Sequence, residues 1–180
     1  MYKRQLVTRR AKSPKLAVTA DWRSVVDSHL GENQAHDEDE ELARQEKAAA
    51  LEVLATSRIS VLIGAAGTGK TKLLEALTSL PDIAAGGLLL LAPTGKARVR
   101  MQEAIGQGHE AQTLAQLLVH SGRYVGDVGR YCRSDQDRRS GARTVIVDEC
   151  SMLTEEALDA LLDGIEGYDR LILVLSLIHI

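Results

Sequence analysis

The sequence predicts one α/β domain in which a parallel sheet is covered by helices on both faces. Three observations support this fold class. The chain has 180 residues, enough for one ordinary domain, and 44% of them are hydrophobic while 26% are charged. Short apolar runs alternate along the chain with segments of helical composition. These runs are continuously apolar rather than alternating, which is typical of strands buried on both faces.

Four apolar runs are predicted strands, because each is bounded by Gly, Pro or polar residues. They span 58–63, 88–92, 144–147 and 170–174. Segments of good helix formers lie around them, at 41–56, 70–80, 96–105, 112–120 and 154–162. Thr154 is the expected N-cap of the last helix, since two acids follow it in the first turn. The core must be aliphatic, because the chain contains no Phe and one Trp.

The organisation of the chain changes near residue 41. Residues 1–40 show little periodicity, with six Lys or Arg in the first fifteen positions and an acidic run at 37–41. We therefore expect a mostly flexible or partial lead-in there, and a domain over 41–180. An insertion at about 122–143 interrupts the alternation of strands and helices. It begins with a small β-hairpin turning at Gly126-Asp127 and continues as an exposed polar loop over 133–143.

Charge and cysteine content exclude several classes of function. The net charge is −3, so nucleic-acid binding requires a local basic patch rather than a global field. Cys132 and Cys150 are too few for a disulfide framework and lack metal-ligand spacing. No apolar run approaches the length of a membrane span or follows the basic N-terminus as a secretion signal. We expect a cytoplasmic protein with no membrane partner.

Residues 64–71, GAAGTGKT, match the phosphate-loop pattern and lie between a predicted strand and a predicted helix. In that setting backbone N–H groups and the helix N-terminus bind the phosphates of a nucleotide. Lys70 supplies positive charge, and the Thr71 hydroxyl is suited to bind Mg²⁺. The alternative is a Gly-rich turn with an incidental lysine. The predicted nucleotide-binding residues are Gly64, Ala65, Ala66, Gly67, Thr68, Gly69, Lys70 and Thr71.

A pair of acids follows the third predicted strand, in the segment VIVDECSM at 145–152. Asp148, at the carboxyl end of a buried strand, is placed to hold Mg²⁺. Glu149 is suited to orient and deprotonate the attacking water, which indicates hydrolysis rather than phosphoryl transfer to a second substrate. The alternative is that both acids simply cap the helix that begins near Thr154.

The segment LAPTGKARVR at 91–100 follows the second predicted strand. Thr94, Gly95 and Lys96 offer a hydroxyl, backbone N–H groups and a cation, and Arg98 and Arg100 follow on the next helix. Such a cluster can bind a nucleic-acid phosphate. The alternative is a helix start with solvated cations.

Together these motifs resemble the first motor domain of superfamily 1 helicases, and among them the RecD-like DNA helicases. The resemblance covers about 41–174. The APTGKA segment at 92–97 is similar to the motif with which that family contacts single-stranded DNA, and DECSM at 148–152 is similar to its acidic motif. The resemblance implies a RecA-like P-loop NTPase fold that binds ATP and Mg²⁺. Lys70 and Glu149 would be the catalytic residues, and Thr71 and Asp148 would hold the metal.

The resemblance also implies contacts that the motifs alone do not show. A glutamine upstream of the phosphate loop commonly contacts the adenine in this family, and Gln45 is the candidate here. Thr113 is an implied DNA contact, although the family's usual histidine two positions later is Ala115 in this chain. The full set of implied contacts to single-stranded DNA is Pro93, Thr94, Gly95, Lys96 and Thr113.

RecD-like helicases insert a small β-hairpin before the acidic motif as a strand-separating pin, and the hairpin near Gly126-Asp127 matches its position. In that role it would present two cations and two aromatic rings to a DNA junction: Arg123, Tyr124, Arg130 and Tyr131. An ordinary surface hairpin is the alternative.

The two ends of the chain depart from the family. MYKRQ at 1–5 and LSLIHI at 175–180 resemble translated sequencing-adapter remnants, and the family's next motif does not follow the fourth strand. We therefore expect a gene fragment whose RecA-like domain is incomplete at the C-terminus. Because a second domain supplies a catalytic arginine in the family, the fragment alone should hydrolyse ATP weakly or not at all. No oligomeric state is predicted.

The leading hypothesis is an ATP-dependent DNA helicase or translocase motor that couples ATP hydrolysis to movement along single-stranded DNA. One alternative is a phosphate-loop ATPase that does not act on DNA, such as an RNA helicase or a remodelling ATPase. Another is a binding module that ATP switches, in which hydrolysis is incidental.

Overall fold

The computed structural model describes residues 2–31, 38–65, 67–105 and 108–177. Within these residues the strands are β1 (Ile59–Ala65), β2 (Leu88–Ala92), β3 (Ala111–Thr113), β4 (Tyr124–Val125), β5 (Arg130–Tyr131), β6 (Thr144–Val147) and β7 (Arg170–Leu177). The helices are α1 (Tyr2–Ala11), α2 (Trp22–Leu30), α3 (Glu38–Thr56), α4 (Lys70–Thr78), α5 (Pro81–Ala84), α6 (Gly95–Ile105), α7 (Leu114–His120) and α8 (Glu155–Gly164).

The central sheet has five parallel strands in the order β1-β7-β6-β2-β3. Alternate side chains of each strand point to opposite faces, so Leu90 and Ile146 enter one buried cluster while Leu89 and Val145 enter another. Helices α3, α4 and α6 cover the first face, and α7 and α8 cover the second. The predicted parallel sheet with helices on both faces is confirmed.

The strand order places β7 between the strand that precedes the phosphate loop and the strand that precedes the acidic motif. β7 is also longer than predicted. Its last residues pair with the end of β1, in the register Ile63 to Leu175 and Gly64 to Ser176. The phosphate loop is therefore backed by a strand that continues beside it as far as Leu177.

The described part of the predicted lead-in consists largely of helices α1 and α2. The expectation that residues 1–40 form a mostly flexible or partial lead-in stays a prediction. Helix α2 is capped by Asp21, whose carboxylate accepts a hydrogen bond from the Ser24 amide, and it buries Val26 against α3 and α4. Before it, the amide of Leu16 donates to the carbonyl of Thr56, which ties the segment after α1 to the end of α3. Helix α2 has nine residues and one fully buried side chain, too short a pattern to stand out in the sequence.

The insertion contains the predicted hairpin, formed by β4 and β5 in antiparallel register. The connection is a 3₁₀ turn over Gly126–Val128 rather than a two-residue turn, and Gly129 completes it in the left-handed conformation. The hydroxyl of Thr154 caps α8 as predicted. Among the described residues, no helix has both the length and the apolar character that a membrane crossing requires.

Candidate nucleotide-binding site

The predicted site residues follow the strands of the central sheet. Because the carboxyl ends of parallel strands meet at one edge, the phosphate loop after β1, the acids after β6 and the 93–96 segment after β2 share that edge. Ala92 is level with Thr113 of β3, and Leu91 is level with Val147 of β6. The fold thus brings three separate stretches of sequence to the same side of the sheet.

The phosphate loop has the backbone that its glycines allow. Gly67 and Gly69 have φ values of 81° and 84°, a left-handed conformation that glycine adopts without cost. A Cβ on Gly64 would lie 2.8 Å from the Thr68 hydroxyl, so the Thr68 side chain would have to shift to admit a larger residue there. Ala66, a predicted nucleotide contact, lies outside the described residues.

Lys70 opens α4, and its side chain turns back over the loop. The ammonium donates to the carbonyls of Gly64 at 2.8 Å and Ala65 at 2.7 Å. The cation therefore lies where the loop amides and the positive end of the α4 dipole also attract an anion. Lys70, the loop amides and the helix dipole together supply the positive potential that a phosphate-binding site needs.

Thr71 and Asp148 are oxygen donors of the kind that Mg²⁺ prefers. Thr71 is exposed, and its hydroxyl has no hydrogen-bond partner within the described ranges. The amide of Asp148 donates to the carbonyl of Leu91 at 2.9 Å, which fixes the chain after β6 against β2. One carboxylate oxygen of Asp148 accepts from the Glu149 amide at 2.8 Å. Mg²⁺ uses one or two protein ligands beside water and phosphate oxygens, and these two residues fit that requirement.

Glu149 has an unusual backbone conformation, with φ 50° and ψ 38°. It is the only non-glycine residue with a positive φ in the part of the chain that the structure describes. The following Cys150 is half-buried, and its thiol donates to the carbonyl of Val147 at 3.0 Å. Burial raises the pKa of Cys150 to about 11, so the thiol stays protonated and is no nucleophile at neutral pH.

The predicted DNA contacts lie together at the ends of β2 and β3. Thr94 caps α6 by accepting from the Ala97 amide at 3.2 Å, and Thr113 caps α7 in a capping box with Gln116. Both hydroxyls thus have local structural roles. Gly95 and Lys96 are exposed at the start of α6. The assignment of Pro93, Thr94, Gly95, Lys96 and Thr113 to DNA stays a prediction.

Gln45 lies exposed on α3, where its amide donates to a carboxylate oxygen of Glu41 at 3.1 Å. Two positions later, Lys47 approaches the phosphate loop: its Cε lies 3.6 Å from where a Cβ on Gly69 would stand. Residues two apart on a helix are separated by about 200°, so the two side chains occupy different faces. The contact of Gln45 with adenine stays a prediction, whereas Lys47 is a neighbour of the loop that the sequence did not reveal.

The hairpin corrects one sequence expectation. Arg123 is 1% exposed and is therefore unable to present its charge to DNA. Its guanidinium donates instead to Asp163 of α8 and to the carbonyls of Ser121, Ser134 and Gln136. Tyr124 and Tyr131 stack at the base of the hairpin with ring centroids 4.9 Å apart, while Arg130 is exposed. The role of the hairpin as a pin stays a prediction.

The similarity of this chain to known proteins identifies its family. Residues 41–175 match the family model described as an AAA domain. The chain belongs to the AAA domain family. Two curated relatives of this AAA domain are the ATP-dependent RecD2 DNA helicase of Deinococcus radiodurans, 33% identical over 130 residues, and the RecBCD enzyme subunit RecD of Mycolicibacterium smegmatis, 30% identical. The resemblance to RecD-like helicases is confirmed.

The matches cover 72% of this chain but only 17% of the RecD2 helicase and 26% of the RecD subunit. This AAA domain thus spans about a quarter or less of the length of these relatives. A crystal structure of Pif1 from a Bacteroides species in complex with ADP-AlF4 has the same fold, with a TM-score of 0.52, 20% identity, and coverage of 73% of this chain and 31% of that one.

Proposed function

We propose that this AAA domain is the first RecA-like motor domain of an ATP-dependent DNA helicase or translocase. The observation that carries the proposal is the single sheet edge that holds the left-handed glycines of the phosphate loop, Lys70, and the Asp148–Glu149 pair. A phosphate loop alone is shared by many classes of enzyme. The adjacent acids favour hydrolysis of the nucleotide. The names of the relatives favour DNA as the polymer along which the motor moves.

In this proposal different residues of the chain bind the phosphates, the metal, the attacking water, the adenine and the DNA. The loop amides and Lys70 bind the β- and γ-phosphates of ATP. Thr71 and Asp148 would hold Mg²⁺, which supplies charge neutralisation at the phosphates. Glu149 orients the attacking water and accepts its proton. Gln45 would contact the adenine, and the exposed start of α6 would bind single-stranded DNA through Lys96 and the neighbouring amides.

Two further expectations belong to the same proposal. The chain alone should hydrolyse ATP slowly, because RecD-like helicases complete the site with an arginine from a second domain, which is worth about 10³ to 10⁵ in rate. We also propose the cytoplasm as the compartment, in keeping with the two free thiols at Cys132 and Cys150.

The test measures nucleotide and DNA binding by the 180-residue chain, because binding does not depend on fast turnover. Lys70→Ala should weaken binding of a fluorescent ATP analogue about tenfold or more, since a charge-assisted contact to phosphate is lost. Glu149→Gln should retain nucleotide binding and lose residual hydrolysis. A labelled single-stranded oligonucleotide should bind to the wild type.

The outcomes separate the alternatives. Nucleotide binding without DNA binding would favour an ATPase that acts on another substrate, and preference for an RNA oligonucleotide would favour an RNA motor. If Lys70→Ala binds the analogue as the wild type does, the phosphate-loop assignment is wrong.

A further inference from the structure

A groove of about 550 Å³ lies along β3, the edge strand of the central sheet farthest from the phosphate loop. Its polar lining comes from both sides of the strand: Arg98 of α6, His109 and Gln112 at β3, Gln116 and His120 of α7, and Arg139 of the insertion loop. Gln116 and His120 are four residues apart, so they share one face of α7. The groove is separate from the candidate nucleotide site.

Arg98 and Arg139 contribute the guanidinium groups of the groove. Within the described residues, neither the Arg98 nor the Arg139 guanidinium has a hydrogen-bond or ion-pair partner. The backbone of Arg139 is nevertheless fixed, because its amide donates to the carbonyl of Gly164 at 2.7 Å and its carbonyl accepts from the Glu166 amide at 3.0 Å. Two guanidinium groups thus line one groove, and neither forms an ion pair with any residue that the structure describes.

The chemistry of the lining favours a phosphate-bearing polymer. Guanidinium groups match phosphate oxygens bidentately, and side-chain amides donate to the same oxygens. As described, the lining includes no Phe, Tyr or Trp, and its rings are the imidazoles of His109 and His120. Glu110 is the acid in this described lining. The two guanidinium groups favour recognition of the backbone of a nucleic acid.

The groove also adjoins the surface proposed to bind DNA. Lys96 and Arg98 are two positions apart on α6 and therefore occupy different faces of that helix, so the link is made at β3. Gln116, which lines the groove, belongs to the capping box of Thr113. A strand bound at Thr113 would pass from there onto Gln116.

We propose that this edge groove, through Arg98 and Arg139, is a second binding site for the phosphodiester backbone of nucleic acid. The inference rests on the proposed function and extends it, because it gives DNA a path along β3 beyond the residues that the family resemblance implies. The site is independent of base sequence and contributes to affinity through charge.

The experiment measures fluorescence anisotropy of two labelled probes, an oligodeoxythymidylate and a blunt duplex, over a salt titration. The double variant Arg98→Ala, Arg139→Ala should bind about tenfold more weakly. Its plot of log affinity against log salt should be shallower, with the magnitude of the negative slope reduced by about 1 to 2, as expected for two lost phosphate contacts. Arg138→Ala is the matched control, since Arg138 is an exposed neighbour outside the groove. Thermal unfolding of each variant checks the fold.

The probe that loses more affinity shows whether the groove binds the backbone of single-stranded or of duplex DNA. If the double variant binds both probes as the wild type does while Lys96→Ala binds less, the groove proposal is wrong and the proposed function stands. Absence of DNA binding by the wild type would overturn both. Arginine-dependent binding of a polyglutamate peptide with at least the affinity of DNA would instead assign the groove to an acidic protein partner.

Discussion

At the scale of single residues, Glu149 combines a proposed catalytic carboxylate with a left-handed backbone. A side chain with a Cβ in this region costs about 1 to 2 kcal/mol relative to the right-handed conformation. The conformation persists because Asp148 accepts from the Glu149 amide and the short 3₁₀ turn that follows packs against β7. Strain of this kind is concentrated at functional sites, which agrees with the catalytic role proposed for Glu149.

This conformation predicts a difference between two variants that both lack the carboxylate. Glu149→Gly should be more stable than Glu149→Ala by roughly 1 kcal/mol, because glycine adopts a positive φ freely whereas alanine keeps the strain. Both should lose hydrolysis. Urea unfolding of the two proteins gives the difference in the free energy of unfolding, and equal stabilities would show that residue 149 is not left-handed in solution.

At the scale of elements, a network of ion pairs joins α2 to α3. Arg44 is 2% exposed, and its guanidinium donates to Asp27 and Glu40 and to the carbonyl of Gly31. Arg23 donates to both carboxylate oxygens of Glu41 and to Asp27. The hydrogen bond from Arg23 lowers the pKa of Glu41 to about 2, and the bond from Arg44 lowers that of Asp27.

The network predicts an acid-induced loosening of α2. A carboxyl group whose pKa is lowered in the folded state stabilises that state above its ordinary pKa of 4.5, and the contribution is lost as the pH falls towards about 2. Trp22, the only tryptophan of the chain, lies at the start of α2 and packs against the core. Its emission should shift to the red across that window before the far-ultraviolet circular dichroism changes.

The Glu41→Gln variant is the control for this transition. It lacks the titrating carboxylate, so its Trp22 emission should differ less between neutral and acidic pH than that of the wild type. An acid transition of the same size in both proteins would show that Glu41 does not link pH to the docking of α2.

At the scale of the whole molecule, the sequence predicted those parts of the fold that local composition determines. β2 and β6 coincide with the predicted runs, because short aliphatic segments between Gly, Pro or polar residues fit only buried strands. β1 and β7 extend further, since Gly64 and Ser176 pair through their backbones and carry no apolar signal. The first residues of the predicted 112–120 helix form β3 instead, because Thr113 is the N-cap.

The candidate site likewise has features that the sequence predicts and features that only the packing reveals. The phosphate loop was recognisable because its residues are contiguous and glycine is required at defined positions. Lys47 was not, because only the packing of α3 on α4 brings it to Gly69. The burial of Arg123 was not predictable either, since arginine is mostly exposed and its carbonyl partners belong to an irregular loop.

β1 is an edge strand of the central sheet. β1 has β7 as its only neighbour among the described strands, and Val61 and Ile63 are 50% and 56% exposed on one of its faces. An open edge with exposed aliphatic side chains promotes pairing between chains.

We expect the 180-residue chain to self-associate with rising concentration in sedimentation velocity. Val61→Lys should reduce this self-association, because lysine blocks edge pairing. Val119→Lys, on α7 with 52% exposure, is the matched control; a chain that stays monomeric throughout, or an equal effect of both substitutions, would show that association does not use this edge.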